Sequence, residues 1–203
     1  MDFKAHLEQT WSLFVANLPA LLISTLVLFV CSAITLGIMA PVLMAGYMQS
    51  LLLLVRENRK PEVGDLFGYM RLFFPLLVFT ILVALVFGLG FAMLVLPGIA
   101  VILAVTFFCM YMMPLMTDRE LGLVEAVKES SRMALQPPIG EHVAVIAVFL
   151  VLNSIGNSTG IGVLFTQPFA TLFVLSVYEI KRRRMLPPPQ QNETTPPPPP
   201  PGA

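Results

Sequence analysis

Three long stretches of this chain carry no Asp, Glu, Lys or Arg: from Glu8 to Arg56, from Arg71 to Asp118, and from Glu141 to Glu179. Their apolar cores run over about 18–55, 72–117 and 143–178. A bilayer is crossed once by ~20 apolar residues, and a straight helix of ~36 to 46 residues would be about 55 to 70 Å long against a hydrocarbon layer of ~30 Å. Each stretch therefore reads as two spans folded back on one another. Composition agrees, because 57% of the 203 residues are hydrophobic and 12% are charged, about half the charged fraction of a soluble domain. With 12 basic and 12 acidic residues, no charge excess points to nucleic acid.

Each stretch has a candidate break near its middle: Gly37 to Pro41 in the first, Pro97-Gly98 in the second, and the small polar run Asn153 to Gly160 in the third. Proline lacks a backbone donor and glycine tolerates positive φ, so such sites turn or end helices. With six spans, every basic residue outside the apolar stretches falls on one side: Lys4, then Arg56, Arg59, Lys60 and Arg71, then Arg119, Lys128 and Arg132, then Lys181 to Arg184. The positive-inside rule places that side, and both termini, in the cytoplasm. The amino terminus, with Asp2 and Glu8 beside Lys4 and a long apolar run after them, reads as uncleaved rather than as a secretory leader.

A helical amphipathic spacing precedes each stretch. Phe3, Leu7, Trp11, Phe14 and Leu18 form the first stripe, Val63, Leu66, Phe67, Met70, Phe73 and Phe74 the second, and Leu121, Val124, Val127, Met133 and Ala134 a weaker third. Thr117 with Glu120 has the spacing of a capping box opening the third helix. The expected fold is an all-α, polytopic membrane bundle over residues 1–184, with about six transmembrane helices as three hairpins, each preceded by an amphipathic helix lying at the interface. Residues 185–203 are rich in proline and read as a disordered cytoplasmic tail, biased to polyproline II.

Catalysis in a membrane generally requires ionisable groups inside the spans, and the three stretches supply none. His6 and His142 lie far apart without cysteine or carboxylate at ligand spacing, so neither a metal nor another cofactor is expected. Cys31 and Cys109 read as small apolar fillers. The candidate polar or transport region is Asn153, Asn157, Thr159, Thr166 and Gln167, which bracket a glycine-rich segment read either as an external loop or as a broken helix lining a path. Lys181, Arg182, Arg183 and Arg184 follow the last span directly and are the candidate contact for anionic lipid, besides serving as a topology signal.

Pro41-x-x-x-x-Gly46-Tyr47, Asp65-Leu66-Phe67, Leu96-Pro97-Gly98-Ile99, Glu125-Ala126-Val127-Lys128-Glu129-Ser130, and Gly160-Ile161-Gly162 ahead of Pro168 and Tyr178 together resemble the bacterial integral membrane proteins of the YciC type. That superfamily is itself similar to the membrane domain of some glycerophosphodiester phosphodiesterases. The resemblance covers roughly residues 1–180. It implies a six-helix cytoplasmic-membrane protein and carries no catalytic residue onto this chain. The functional expectation is a non-catalytic accessory, scaffold or membrane-organising protein in contact with membrane lipids, with a protein partner or a second copy of itself. The alternative is a small oligomeric transporter or permease component.

Overall fold

The computed structural model describes residues 3–93 and 95–185, so the proline-rich tail lies outside the described residues. Among those described there is no strand, and nine α-helices follow in order: α1 Phe3–Ala16, α2 Leu18–Ile34, α3 Ala40–Glu57, α4 Phe73–Met93, α5 Val95–Cys109, α6 Met112–Asp118, α7 Leu123–Ala134, α8 Ile139–Thr159 and α9 Val163–Met185. Two 3-10 helices, Val63–Phe67 and Met70–Leu72, separate α3 from α4. Among the described residues, four helical segments are long and apolar enough to cross a membrane: Val63–Ala92, Leu96–Asp118, Ile139–Thr159 and Val163–Met185. The bent pair formed by α1 and α2 would make a fifth.

α1 and α2 meet at 83°. Asn17 sits at the bend, its side-chain amide donating to the Leu13 carbonyl at 3.1 Å. Pro19 occupies the first turn of α2, where a missing N–H costs nothing. The first apolar stretch turns at residues 35–39, where Leu36 and Gly37 take φ of 51° and 81°, so the turn overlaps the expected Gly37 to Pro41 break but begins two residues earlier, and Ala40 and Pro41 open α3.

Helix α3 forms the centre. It packs against α2, α4, α6, α9 and the first 3-10 helix, and eleven of its residues, from Val42 to Leu54, are buried. Gly46 permits the closest of these approaches. A Cβ there would meet the backbone oxygens of Leu66 and Asp65, the latter at 2.6 Å, so only glycine lets the loop after α3 lie flat against it. Leu66 is thereby fully buried.

That packing corrects one expectation from periodicity. The stripe from Val63 to Phe74 is not an amphipathic α-helix but the two 3-10 helices running into α4. Gly64 and Gly68 interrupt it, and the Glu62 side chain caps Asp65 while Asp65 caps Glu62, fixing a tighter turn. The capping box thus belongs to Glu62 and Asp65, not to Thr117 and Glu120. Thr117 lies in the last turn of α6, donating back to Met113 and Pro114 carbonyls at 3.2 and 3.3 Å, and Glu120 takes a left-handed φ of 53°. Helix α7 starts instead after Gly122.

Two breaks also move. Pro97 and Gly98 lie in the first turn of α5, where proline is tolerated. The close approach of Gly98 to Gly90 and to the Phe91 ring holds α5 against α4. In the third stretch Asn153 to Thr159 are helical, and the chain turns at Gly160, with φ of 66°.

Candidate functional site

The residues that end the three uncharged stretches meet. Arg56 closes α3, Asp118 closes α6, and Glu179 lies in the last turns of α9. The Arg56 guanidinium donates to both Asp118 oxygens, with Nη2 at 2.9 Å from Oδ2, and its Nε donates to Glu179 Oε2 at 2.6 Å. The Tyr178 hydroxyl donates to Asp118 at 3.0 Å. Arg182 adds ion pairs at 3.4 Å to Asp118 and 3.6 Å to Glu179, and Arg183 reaches Glu179 at 3.2 Å. Side-chain exposures of 16% for Arg56, 6% for Asp118 and 11% for Glu179 place the node inside the protein. Burial works against the Arg56 charge, but its hydrogen bonds to Asp118 and Glu179 outweigh that and hold its pKa above the ordinary guanidinium value.

A second polar cluster braces the break between α5 and α6. Such a break leaves carbonyls at the end of α5 without helical partners. Ser130 of α7 donates to Phe108 O at 2.6 Å and accepts the Tyr111 N–H at 3.1 Å. His142 of α8 lies 2.9 Å from Phe107 O through Nε2 and 3.2 Å from the Tyr111 hydroxyl through Nδ1. This geometry suits a neutral imidazole with its proton on Nε2 and the phenol donating to Nδ1. Lys181 is 2% exposed; its ammonium donates to Met133 O at 2.7 Å, at the end of α7, and lies 5.6 Å from the Tyr111 ring centre.

The candidate basic run is therefore split. Lys181 is buried and engaged with α7, and Arg182 belongs to the Asp118 node. Arg183 and Arg184 reach the surface, with side-chain exposures of 74% and 42%. Arg184 pairs with Glu141 at 3.1 Å.

The candidate polar region is likewise divided. Asn153 donates to the Phe149 carbonyl of its own helix at 2.8 Å, Asn157 is exposed, and Thr159 bonds back to Ile155 and Gly156 carbonyls. Thr166 presses against Gly156, and its hydroxyl is buried without a hydrogen-bond partner. Gln167 faces α3, its amide 3.9 Å from the Met44 sulfur, beside a cavity of about 230 Å³ that Ser32 also lines. The structure thus joins Thr166 to α8 and Gln167 to α3, and leaves Asn157 outside both.

Among the described residues, no three His, Cys, Asp or Glu side chains approach one another closely enough to hold a metal. Cys31 and Cys109 are free thiols. Sequence reasoning missed the Arg56, Asp118, Tyr178 and Glu179 node, although its three charged ends are the very residues that delimit the uncharged stretches. No family model, curated protein or solved structure matches the chain.

Proposed function

We propose that this chain is a multi-pass protein of a bacterial inner membrane with both termini in the cytoplasm, acting without catalysis as an accessory or membrane-organising subunit. The observation that carries the reading is the node of Arg56, Asp118, Tyr178, Glu179 and Arg182. Arg56, Asp118 and Glu179 end successive uncharged stretches, and Gln9 and Thr10, at the start of the first, line a pocket with Glu179 and Arg183; this convergence favours six spans in three hairpins over three single crossings. The charges of that node are committed to one another, as in a static frame rather than a site that exchanges protons or ligands.

The frame holds out α4 and α5, whose outward residues include Phe74, Val78, Leu85, Leu89, Leu96 and Leu103, all exposed. Between helices in lipid there is little hydrophobic drive, so such a surface serves either lipid or a helix packed on it by shape. A subunit that works by holding an apolar helix pair in the membrane fits this division.

The test is purification of the intact chain from its own membrane in mild detergent, beside a version ending at Arg184. A stoichiometric protein partner on the intact chain is the expected result, and its loss from the shortened chain would assign the contact to the tail. A lone oligomer would count against the accessory role. The transport alternative draws on the unpartnered Thr166 hydroxyl and the Gln167 cavity; solute flux that falls in a Gln167→Leu variant would favour it.

A further inference from the structure

Helix α8 carries a stripe on one face, Glu141, Val148 and Leu152, at steps of seven and four residues, which a helix stacks nearly in line. Its lower part forms one wall of a groove of about 580 Å³ whose other walls are Leu7 and Trp11 of α1 and Phe169 of α9. That volume lies within the range of ordinary ligand sites, ~300–1,000 Å³. The Trp11 ring meets the Phe169 ring edge-on at 5.8 Å. Glu8 also lines the groove and has an interaction partner of its own.

At the head of the stripe stands Arg184, paired with Glu141. At ~1.5 Å per residue, Val148 lies about 10 Å and Leu152 about 16 Å along the axis from Glu141. The headgroup layer of a leaflet is roughly 5–7 Å deep, so an anion at the level of Arg184 would have its hydrocarbon at the level of the groove. Charge selects the anion. Around the end of α9, five cations (Arg56, Lys181, Arg182, Arg183 and Arg184) face three carboxylates (Asp118, Glu141 and Glu179), with Glu8 a fourth carboxylate lining the groove itself. Of these, Arg183 is exposed on the other flank of α1 beside Gln9 and Leu13, and Arg184 stands on the side of α8.

We propose that the groove between α1 and α8 holds one acyl chain of an anionic phospholipid of the phosphatidylglycerol class, its phosphate at Arg184. The site rests on the membrane reading above but not on the accessory role. It gives α1 a task that amphipathicity alone does not: α1 is the wall that converts an open helix face into a lipid slot.

Trp11 is the chain's single tryptophan and lines the slot, so its fluorescence reports on the site directly. The full chain in mixed micelles is titrated with phosphatidylglycerol brominated on its acyl chains, and separately with phosphatidylcholine brominated in the same way. Quenching by the phosphatidylglycerol is expected to saturate at a mole fraction about fivefold lower, the ratio that one basic side chain near an anionic surface supplies. In an Arg184→Gln variant the two lipids are expected to converge. An Ala147→Phe variant, which fills the groove, is expected to lose the saturable quenching by the brominated phosphatidylglycerol. Equal quenching of the unaltered chain by both lipids, rising linearly with mole fraction, would overturn the site while leaving the membrane reading intact. Quenching by neither would overturn both, and neither comparison on the unaltered chain depends on a variant folding.

Discussion

Helices α4 and α9 occupy opposite places in the molecule, and their compositions invert what a water-soluble protein would show. The segment Val63–Ala92 is the most apolar candidate span, yet 11% of its most apolar window is buried inside the protein; for Val163–Met185, the least apolar of the four, the figure is 56%. In water the most apolar helix goes inside. In a bilayer the solvent is itself apolar, so an unbroken apolar surface can face outward, while a helix with Tyr178, Glu179 and Lys181 must find partners within the protein. Helix α3 makes the same point, because eleven of its residues are buried and its Ser50 and Arg56 find Asp65, Asp118 and Glu179 as partners.

Substitutions can break this contrast, beginning with the charges. Asp118→Asn removes a carboxylate that serves Arg56, Tyr178 and Arg182 and leaves a buried guanidinium short of one counter-charge. A loss of about 3–5 kcal/mol is expected, the usual cost of breaking a buried pair from one side, read as a lowered unfolding midpoint in detergent. Indifference to that change would mean that the node does not hold the bundle together.

Leucine truncations sharpen the contrast on apolar ground. Leu172→Ala opens a void in the interior, where Leu172 is fully buried; Leu85→Ala alters a side chain 60% exposed on α4. Transfer from lipid to protein interior gains little, so the first should cost the packing share alone, on the order of 1–3 kcal/mol, and the second less than about 0.5 kcal/mol. Equal costs in the same thermal-unfolding assay would erase the distinction between the two helices. The smallest effect belongs to the exposed Arg71 and Glu120 pair: Glu120→Gln is expected to leave the midpoint unchanged, as surface pairs generally do.

Those regions also differ in how legible they are in the sequence. Uncharged length and glycine position the turn at residues 35–39 well, because Leu36 and Gly37 take left-handed φ there and local chemistry decides the matter. Periodicity misleads over Val63 to Leu72, where docking against Gly46 and the Glu62 and Asp65 caps override it. Asn153 to Thr159 look like a loop by composition, but Asn153, Ser158 and Thr159 bond back to carbonyls of their own helix, so a polar run continues as helix until Gly160. The ion-pair node requires knowing that distant segment ends coincide, and that the charges bounding the apolar stretches are partners is visible only once the chain is folded.

The central claim is that each uncharged stretch leaves and returns on one side, bringing Arg56, Asp118 and Glu179 together in the cytoplasm. Single cysteines introduced into a Cys31→Ala/Cys109→Ala background test it through labelling of intact cells with an impermeant thiol reagent. Suitable positions are Leu36, 90% exposed at the first turn, Leu96, 76% exposed near the second, and Ser158, exposed near the third, against Asn58 at the end of α3. Gly98 is unsuitable because a side chain there would strike Phe91. Labelling at Leu36, Leu96 and Ser158 from outside, with Asn58 reached only after the cells are opened, is the predicted pattern; labelling of Asn58 in intact cells, or protection of any of the three turns, would contradict it.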